Sequence, residues 1–341
     1  MKNLTNNKKI FRWETFLIIL IILEIVIFGT INPRFLRLRV LLGSINDFMS
    51  ICVISLFVTF VLITGGMDIQ AGSIVGLTSI IIGVFWQQVG LNIWVASFIA
   101  ILIGILCGSL SGFFVAYTGV QPMVVTLGGS FLYSGLAVSI TKIAKVEAYK
   151  GISGFPKSFT SFSKFRFFNV VPSQILILLA LIIFTFILLH YTKYGRYIYL
   201  VGINKDAAKY SGIKYKLIIM SSYALSGFGA AIAGIILTSY LGTAKADFGK
   251  ELTLPIITAV VLGGTSITGG KGTIIGTALS AIAIGIMRFG LSMAGVNTQY
   301  TDIPVGILLV FAVALRGLSE QGVFEKLKLK FKKGSLDATT K

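Results

Sequence analysis

The chain has 341 residues, of which 55% are hydrophobic and only 12% charged, with a mean hydropathy of +0.90. Soluble domains carry about 25% charged residues, so a soluble globular protein is excluded. The formal charge of +18 raises nucleic-acid binding, but the basic residues punctuate apolar runs and form no stripe on a soluble domain, so no nucleic-acid partner is expected.

Apolar runs of roughly 20 residues, the length that crosses a bilayer core, recur along the chain and predict an all-α polytopic membrane protein of about ten transmembrane helices. Residues 1–13 carry Lys2, Lys8, Lys9 and Arg12 and read as a cytoplasmic N-terminal segment. The run that follows exceeds a signal-peptide core and precedes no small-residue cleavage site, so a retained first span is predicted at 14–31, with Glu24 inside it. A turn at Asn32-Pro33 leads to spans at 45–64, 73–89, 93–117 and 123–141. A linker, 142–172, shows no spanning pattern. Further spans are predicted at 173–191, 217–240, 252–267, 273–292 and 303–316, which makes 14–316 one transmembrane domain, and a basic tail, 317–341, follows. Ten spans put both termini on one side. The segments then assigned inside hold 18 Lys and Arg, the outer loops hold 11, and Arg288 lies within a span. That bias makes both termini cytoplasmic, although the basic linker falls outside.

Gly104, Gly108 and Gly112 lie four apart on one helix face, and Gly227 with Ala231 and Ala230 with Gly234 repeat the theme. Such faces let helix backbones approach closely in lipid. Cys52 and Cys107 lie in apolar runs and form no metal-ligand or disulfide pattern, so no metal site is expected. The lone His190 ends a span and reads as an interfacial residue. No Ser/His or HExxH arrangement supports an intramembrane enzyme, and no catalytic residue is assigned. Buried ionisable residues (Glu24, Asp47, Arg288) are too sparse to favour a proton- or ion-coupled carrier. Hydroxyls are more plentiful: Ser55, Thr59, Thr126, Ser130, Ser134, Ser139, Ser221, Ser222 and Ser226. They suit a path for a small uncharged polyol, or bonds to their own helix carbonyls, which is the commoner fate.

Two Gly-rich segments break the apolar pattern. One holds Gly65, Gly66, Asp68 and Gly72, and the other Gly263, Gly264, Gly269 and Gly270. Non-helical backbone at membrane depth is tolerated only where it is buried in protein or lines a wet cavity, and interruptions at corresponding places point to a substrate path. Tight loops at the inner surface are the alternative. Asp68 can cap a helix starting near Ile69 under either reading. The second segment fails as a P-loop, because Thr265 stands at its first Gly and Gly272 at its Ser/Thr position. No ATP is therefore expected on this chain.

The stretch from Gly195 to Ile213 is short and basic, and it carries the punctuation of a small helix. Asn204 is an N-cap candidate, Asp206 suits the first turn, Ala207 and Ala208 favour helix, and Ser211-Gly212 offers a left-handed exit. A solvated loop and a dedicated docking knob both remain open on local pattern.

The residues 64–77 (TGGMDIQAGSIVGL), the knob itself and 260–277 (VVLGGTSITGGKGTIIGT) resemble the permease subunits of ribose-type ABC importers over about 13–318. The segments 13–36, 149–162 (YKGISGFPKSFTSF) and 291–299 (LSMAGVNTQ) are similar to the autoinducer-2 branch of that family. The resemblance implies an ABC importer permease fold in a bacterial cytoplasmic membrane. It also implies a second homologous C-type permease, a substrate-binding protein, and a cytoplasmic ABC ATPase that holds the ATP and Mg²⁺. By the same resemblance the coupling segment, about 192–216, seats in the ATPase through Gly195, Arg196, Gly202, Asn204, Ala207, Ala208, Ser211 and Gly212. Autoinducer-2 is the expected cargo. Ribose or another monosaccharide is the alternative within the class, and a stand-alone secondary carrier is the alternative outside it.

Overall fold

The computed structural model describes residues 13–145, 150–297 and 300–320. The expected basic segments at 1–12 and 321–341 lie outside the described residues. Among the described residues the fold is a helical bundle with four two-residue strands. Its helices are α1 (Trp13–Ile31), α2 (Leu38–Gly43), α3 (Ile45–Ile63), α4 (Ala71–Gln87), α5 (Ile93–Phe113) and α6 (Pro122–Ile143), then α7 (Lys157–Lys164) and α8 (Ser173–His190). They are followed by α9 (Lys193–Ile203), α10 (Lys205–Tyr210), α11 (Tyr215–Leu241), α12 (Thr253–Leu262), α13 (Ile274–Met293) and α14 (Asp302–Glu320). The strands are β1 (Ile152–Ser153), β2 (Arg166–Phe167), β3 (Val171–Pro172) and β4 (Thr243–Ala244).

Among the described residues, seven helices are long and apolar enough to cross a membrane: α1, α3, α5 with its one-turn π extension, α6, α8, α11 and α13. Three shorter apolar helices, α4, α12 and the described part of α14, accompany them. The predicted span at 252–267 is corrected. Its helix, α12, has only 10 residues, about 15 Å of rise, half of what a bilayer core needs. Gly263 ends it, and the backbone then turns through Gly264 with a positive φ.

Burial sorts the helices. α3 is buried along almost its whole length and forms the axis. α1 buries only a stripe of Leu17, Glu24, Phe28 and Gly29, and it exposes Ile18, Ile22, Leu23 and Val26. α6 similarly exposes Phe131 and Leu132. Apolar surface on this scale suits lipid. The small-residue faces do meet. A side chain at Gly104 would run into Gly227 and Ala231, one at Gly108 into the Tyr223 carbonyl, and one at Gly112 into Met220. α5 and α11 therefore cross antiparallel at backbone contact, as expected for small residues at helix interfaces in lipid.

The linker closes one end of the bundle. β1 pairs antiparallel with β4, Ile152 opposite Ala244. Ser239 Oγ at the end of α11 donates to the Phe159 carbonyl on α7 at 2.6 Å, and Trp94 at the start of α5 packs edge-on against Phe159 and Phe162. The α9–α10 pair lies at the other end, where α8 finishes and α11 begins. Trp13 belongs to that same end, its indole N–H donating to the Leu262 carbonyl at 2.5 Å.

Candidate functional site

The small helix expected between Gly195 and Ile213 is present as α10, and Asn204 Oδ1 accepts the Asp206 and Ala207 N–H groups at 2.9 and 3.0 Å. Two orphan donors of the first turn are thereby satisfied. Ser211 Oγ donates to the Ala207 carbonyl at 2.9 Å, and Gly212 leaves with φ +76°. Ala208 is buried, while Asn204, Ala207, Ser211 and Gly212 are exposed. Sequence reasoning missed the 11-residue α9 before it. Thr192 caps α9 by accepting from Gly195 N at 3.2 Å. Gly195 lies buried with its backbone against the Leu189 carbonyl, and Arg196 is exposed.

The second Gly-rich break meets the first at the end of α9. Gly270 N donates to the Ile63 carbonyl at 2.8 Å. A Cβ at Gly202 would collide with that same carbonyl and with Gly270 N, so only glycine allows three backbones to share the point. Gly65 and Gly269, both with positive φ, lie against each other beside Gly202. Tyr199 Oη on α9 donates to the Gly272 carbonyl at 2.6 Å. Burial pushes the Tyr199 phenol up to about 12, so it stays a protonated donor at neutral pH. Gly65, Gly269 and Gly270 therefore sit beside α9, at the bundle end. Gly263 packs its backbone on Gly276 and Thr277 of α13, and Gly264 lies next to Trp13.

The rest of the first break runs inward. Gly66 packs under the Tyr223 hydroxyl, which donates to the Met67 carbonyl at 3.2 Å. Asp68 is 1% exposed. Its Oδ2 accepts from Ser226 Oγ at 2.6 Å and its Oδ1 from Gln70 N at 3.0 Å. α4 starts at Ala71, two residues later than expected, with Gln70 and not Asp68 at its N-cap and no side-chain cap bond; Asp68 instead holds the turn before it through the Gln70 N–H. Gln70 Oε1 accepts from Ser111 at 2.6 Å, and Tyr133 Oη donates to the Cys107 carbonyl at 2.8 Å. Thr126 Oγ1 on α6 donates to the Met67 carbonyl at 3.2 Å, so the unwound turn is tied to α5, α6 and α11, while Gln70 Nε2 stays buried without a hydrogen-bond partner.

Gly72 marks the feature that sequence reasoning placed wrongly. Residues 241–251 were assigned to an outer loop, but they descend along α4. Ala244 packs at Gly83, the Ala246 carbonyl at Gly76 and the Gly249 carbonyl at Gly72. α12 then starts about halfway along α13, since its C-terminal Gly263 abuts Thr277 and it rises only about 15 Å against about 30 Å for α13. The signal was available: Gly72 and Gly76 are spaced four apart, with room for a backbone and no side chain. It carries no hydrophobic period, so span-finding passed over it.

The descending segment holds Lys245, Asp247, Lys250 and Glu251, the last three exposed. It lines two cavities. One, about 510 Å³, adds Asp47 and Arg288 to these charges, with Arg288 paired to Asp302 at 3.5 Å. The other, about 530 Å³, is bounded by Asp247, Lys250 and a hydroxyl cluster. In that cluster Ser73 lies 2.8 Å from Ser130 and accepts from Ser134 at 3.0 Å. Of the other hydroxyls, Thr126, Ser221 and Ser222 bond carbonyls of their own helices. Cys52 and Cys107 are free and buried, and no cluster of metal-binding side chains occurs among the described residues.

A bundle of apolar helices with a charged, re-entrant segment at its middle and a capped helix pair at one end defines the class of a membrane transport permease. The sequence profile for the permease component of branched-chain amino acid transport systems matches residues 40–313, and the chain belongs to that family. It is 41% identical to the autoinducer 2 import system permease protein LsrD of Salmonella typhimurium, over 91% of this chain and 92% of that one. It is 40% identical to the LsrD proteins of Enterobacter sp. strain 638 and Photorhabdus laumondii, over 90% of this chain and 93% and 92% of theirs. No solved structure matches the chain.

Proposed function

We propose that this chain is one of two permease subunits of an ATP-driven importer in the bacterial cytoplasmic membrane, and that it carries autoinducer-2 inward. The observation that carries the reading is the position of Asp247, Lys250 and Glu251, which are exposed at mid-bundle depth. A charged side chain facing acyl chains there costs about 3 kcal/mol. Three of them would cost about 9 kcal/mol, as much as the whole net stability of a typical domain, about 5–15 kcal/mol, so this face lies against protein and water. A second, homologous C-type permease supplies the protein, and the two cavities supply the water. The Ser73, Ser130 and Ser134 hydroxyls bordering one cavity suit a small furanosyl polyol, which offers donors and acceptors in alternation.

The α9–α10 pair is the ATPase-facing element in this reading. It is stiff at both ends, and through Gly202 it touches both Gly-rich breaks at Ile63 and Gly270. A push on α9 therefore reaches the ends of α3 and of the α12–α13 turn without passing through a flexible side chain. ATP and Mg²⁺ belong to the partner ATPase, and a binding protein delivers the cargo. The ten apolar helices then cross or enter the membrane with α9–α10 and both chain ends cytoplasmic.

The test is ATP-dependent uptake into vesicles holding the reconstituted complex, with labelled autoinducer-2 compared with ribose. Saturable autoinducer-2 uptake that exceeds ribose uptake is expected. Equal or better ribose transport overturns the choice of cargo, and uptake without ATP overturns the importer.

A further inference from the structure

A recess of about 280 Å³ lies where the end of α5 meets the turn between α10 and α11. It is lined by Lys209, Lys214 and Lys216, with Tyr117 and Tyr215. The Lys216 ammonium stands 5.0 Å over the Tyr117 ring, a cation–π contact that fixes it at the wall. None of the three lysines has a carboxylate partner among the described residues. Residues 192–217 hold six Lys and Arg against the single acid Asp206. The recess is thus lined by three cations with no carboxylate paired to them among the described residues.

Its surroundings identify the neutralising group. Phe113, Phe114, Tyr117 and Val120 on one side and Leu217 on the other are exposed. They continue the apolar surface of α5, so one edge of the recess opens onto lipid. Lys216 is only half-buried, and a long lysine stem beside exposed apolar residues lets the ammonium reach polar surroundings, as interfacial lysines do. An anion that satisfies both edges needs a negative phosphate joined to an apolar tail. The volume, roughly nine water molecules' worth, accommodates a phosphodiester and its glycerol.

We propose that this recess binds the headgroup phosphodiester of an anionic phospholipid, at the α10 end of the capped helix pair and distinct from the cargo path. Basic pockets between helices at a membrane surface take such headgroups. The site neutralises the flank of α10 and tethers the α10–α11 turn to the bilayer.

The test is native mass spectrometry of the full chain released from detergent containing equal phosphatidylglycerol, phosphatidylethanolamine and phosphatidylcholine. Preferential retention of phosphatidylglycerol is expected. The triple variant K209Q/K214Q/K216Q should weaken it about a hundredfold, at about tenfold or less for each charge. The triple Lys→Arg variant should restore it, and Lys157→Gln on α7, at the opposite end of the bundle, should leave it unchanged. Retention by the triple Gln variant overturns the site. Displacement by millimolar inorganic phosphate alone makes it a free-phosphate site and overturns the lipid. Failure of the Arg variant to restore binding, with unchanged circular dichroism, overturns the electrostatic account.

Discussion

Asp68 brings a carboxyl group among helices whose other faces meet lipid, and its surroundings are built to receive it. Ser226 Oγ and Gln70 N both donate to it, and the turn it organises starts α4 with no side-chain cap from Gln70. Ser226→Ala removes one donor and leaves a buried oxygen bare. The expected loss is about 1–3 kcal/mol of stability, read as a lower unfolding midpoint of the purified chain in detergent. Ser222→Ala, one turn away, is the control. Its hydroxyl bonds only the Ile219 carbonyl of its own helix, so its midpoint should stay within about 0.5 kcal/mol of the parent. Equal losses for both variants would mean that Asp68 does not depend on Ser226. Sequence alone pointed to Asp68 as a cap but could not name Ser226, 158 residues away, because no local period links a break to the helix that covers it.

Elements show where sequence reading works and where it stops. Helices with a long apolar run were legible to within a few residues: α3, predicted at 45–64, is Ile45–Ile63, and α8, predicted at 173–191, is Ser173–His190. α10 was legible too, because capping chemistry is local and Asn204, Asp206 and Gly212 each carry one part of it. α9 was not, because KYGRYIYLVGI mixes aromatic and basic residues without a spanning run, and the Thr192 cap is a single hydroxyl. α12 was overextended, since hydropathy continues through Gly263 and Ile267 although the backbone has already turned. The cap gives α10 its own prediction. Asn204→Ala should cost about 1 kcal/mol, equivalent to about fivefold faster amide exchange at Asp206 and Ala207. Exchange at Ile219 and Ser222 in α11 should not change. Unaltered exchange at Asp206 would show that the α9 junction, and not the cap, holds α10.

At the scale of the whole molecule the re-entrant segment decides between a bundle that only spans and one that conducts. A chain with charges on its membrane-embedded face must either hide them against a partner or wet them. The cavities beside Ser73 and Arg288 leave room for water along the segment, whereas the apolar flank of α1 borders neither. Cysteine labelling distinguishes these surfaces directly, because the two natural cysteines are buried and give little background. Asp247→Cys, Lys250→Cys and Glu251→Cys should react with a water-soluble maleimide applied to intact cells, in which the proposed orientation turns the linker end outward. Ile22→Cys and Leu23→Cys on α1 should not, since lipid excludes both the thiolate and the reagent. Adding the second permease should slow labelling at Lys250→Cys by covering that face, and an importer caught open to the linker side should restore it. If the 247–251 positions label no faster than Ile22→Cys under every condition, the segment faces neither water nor a wet interface, and a path through these cavities is ruled out.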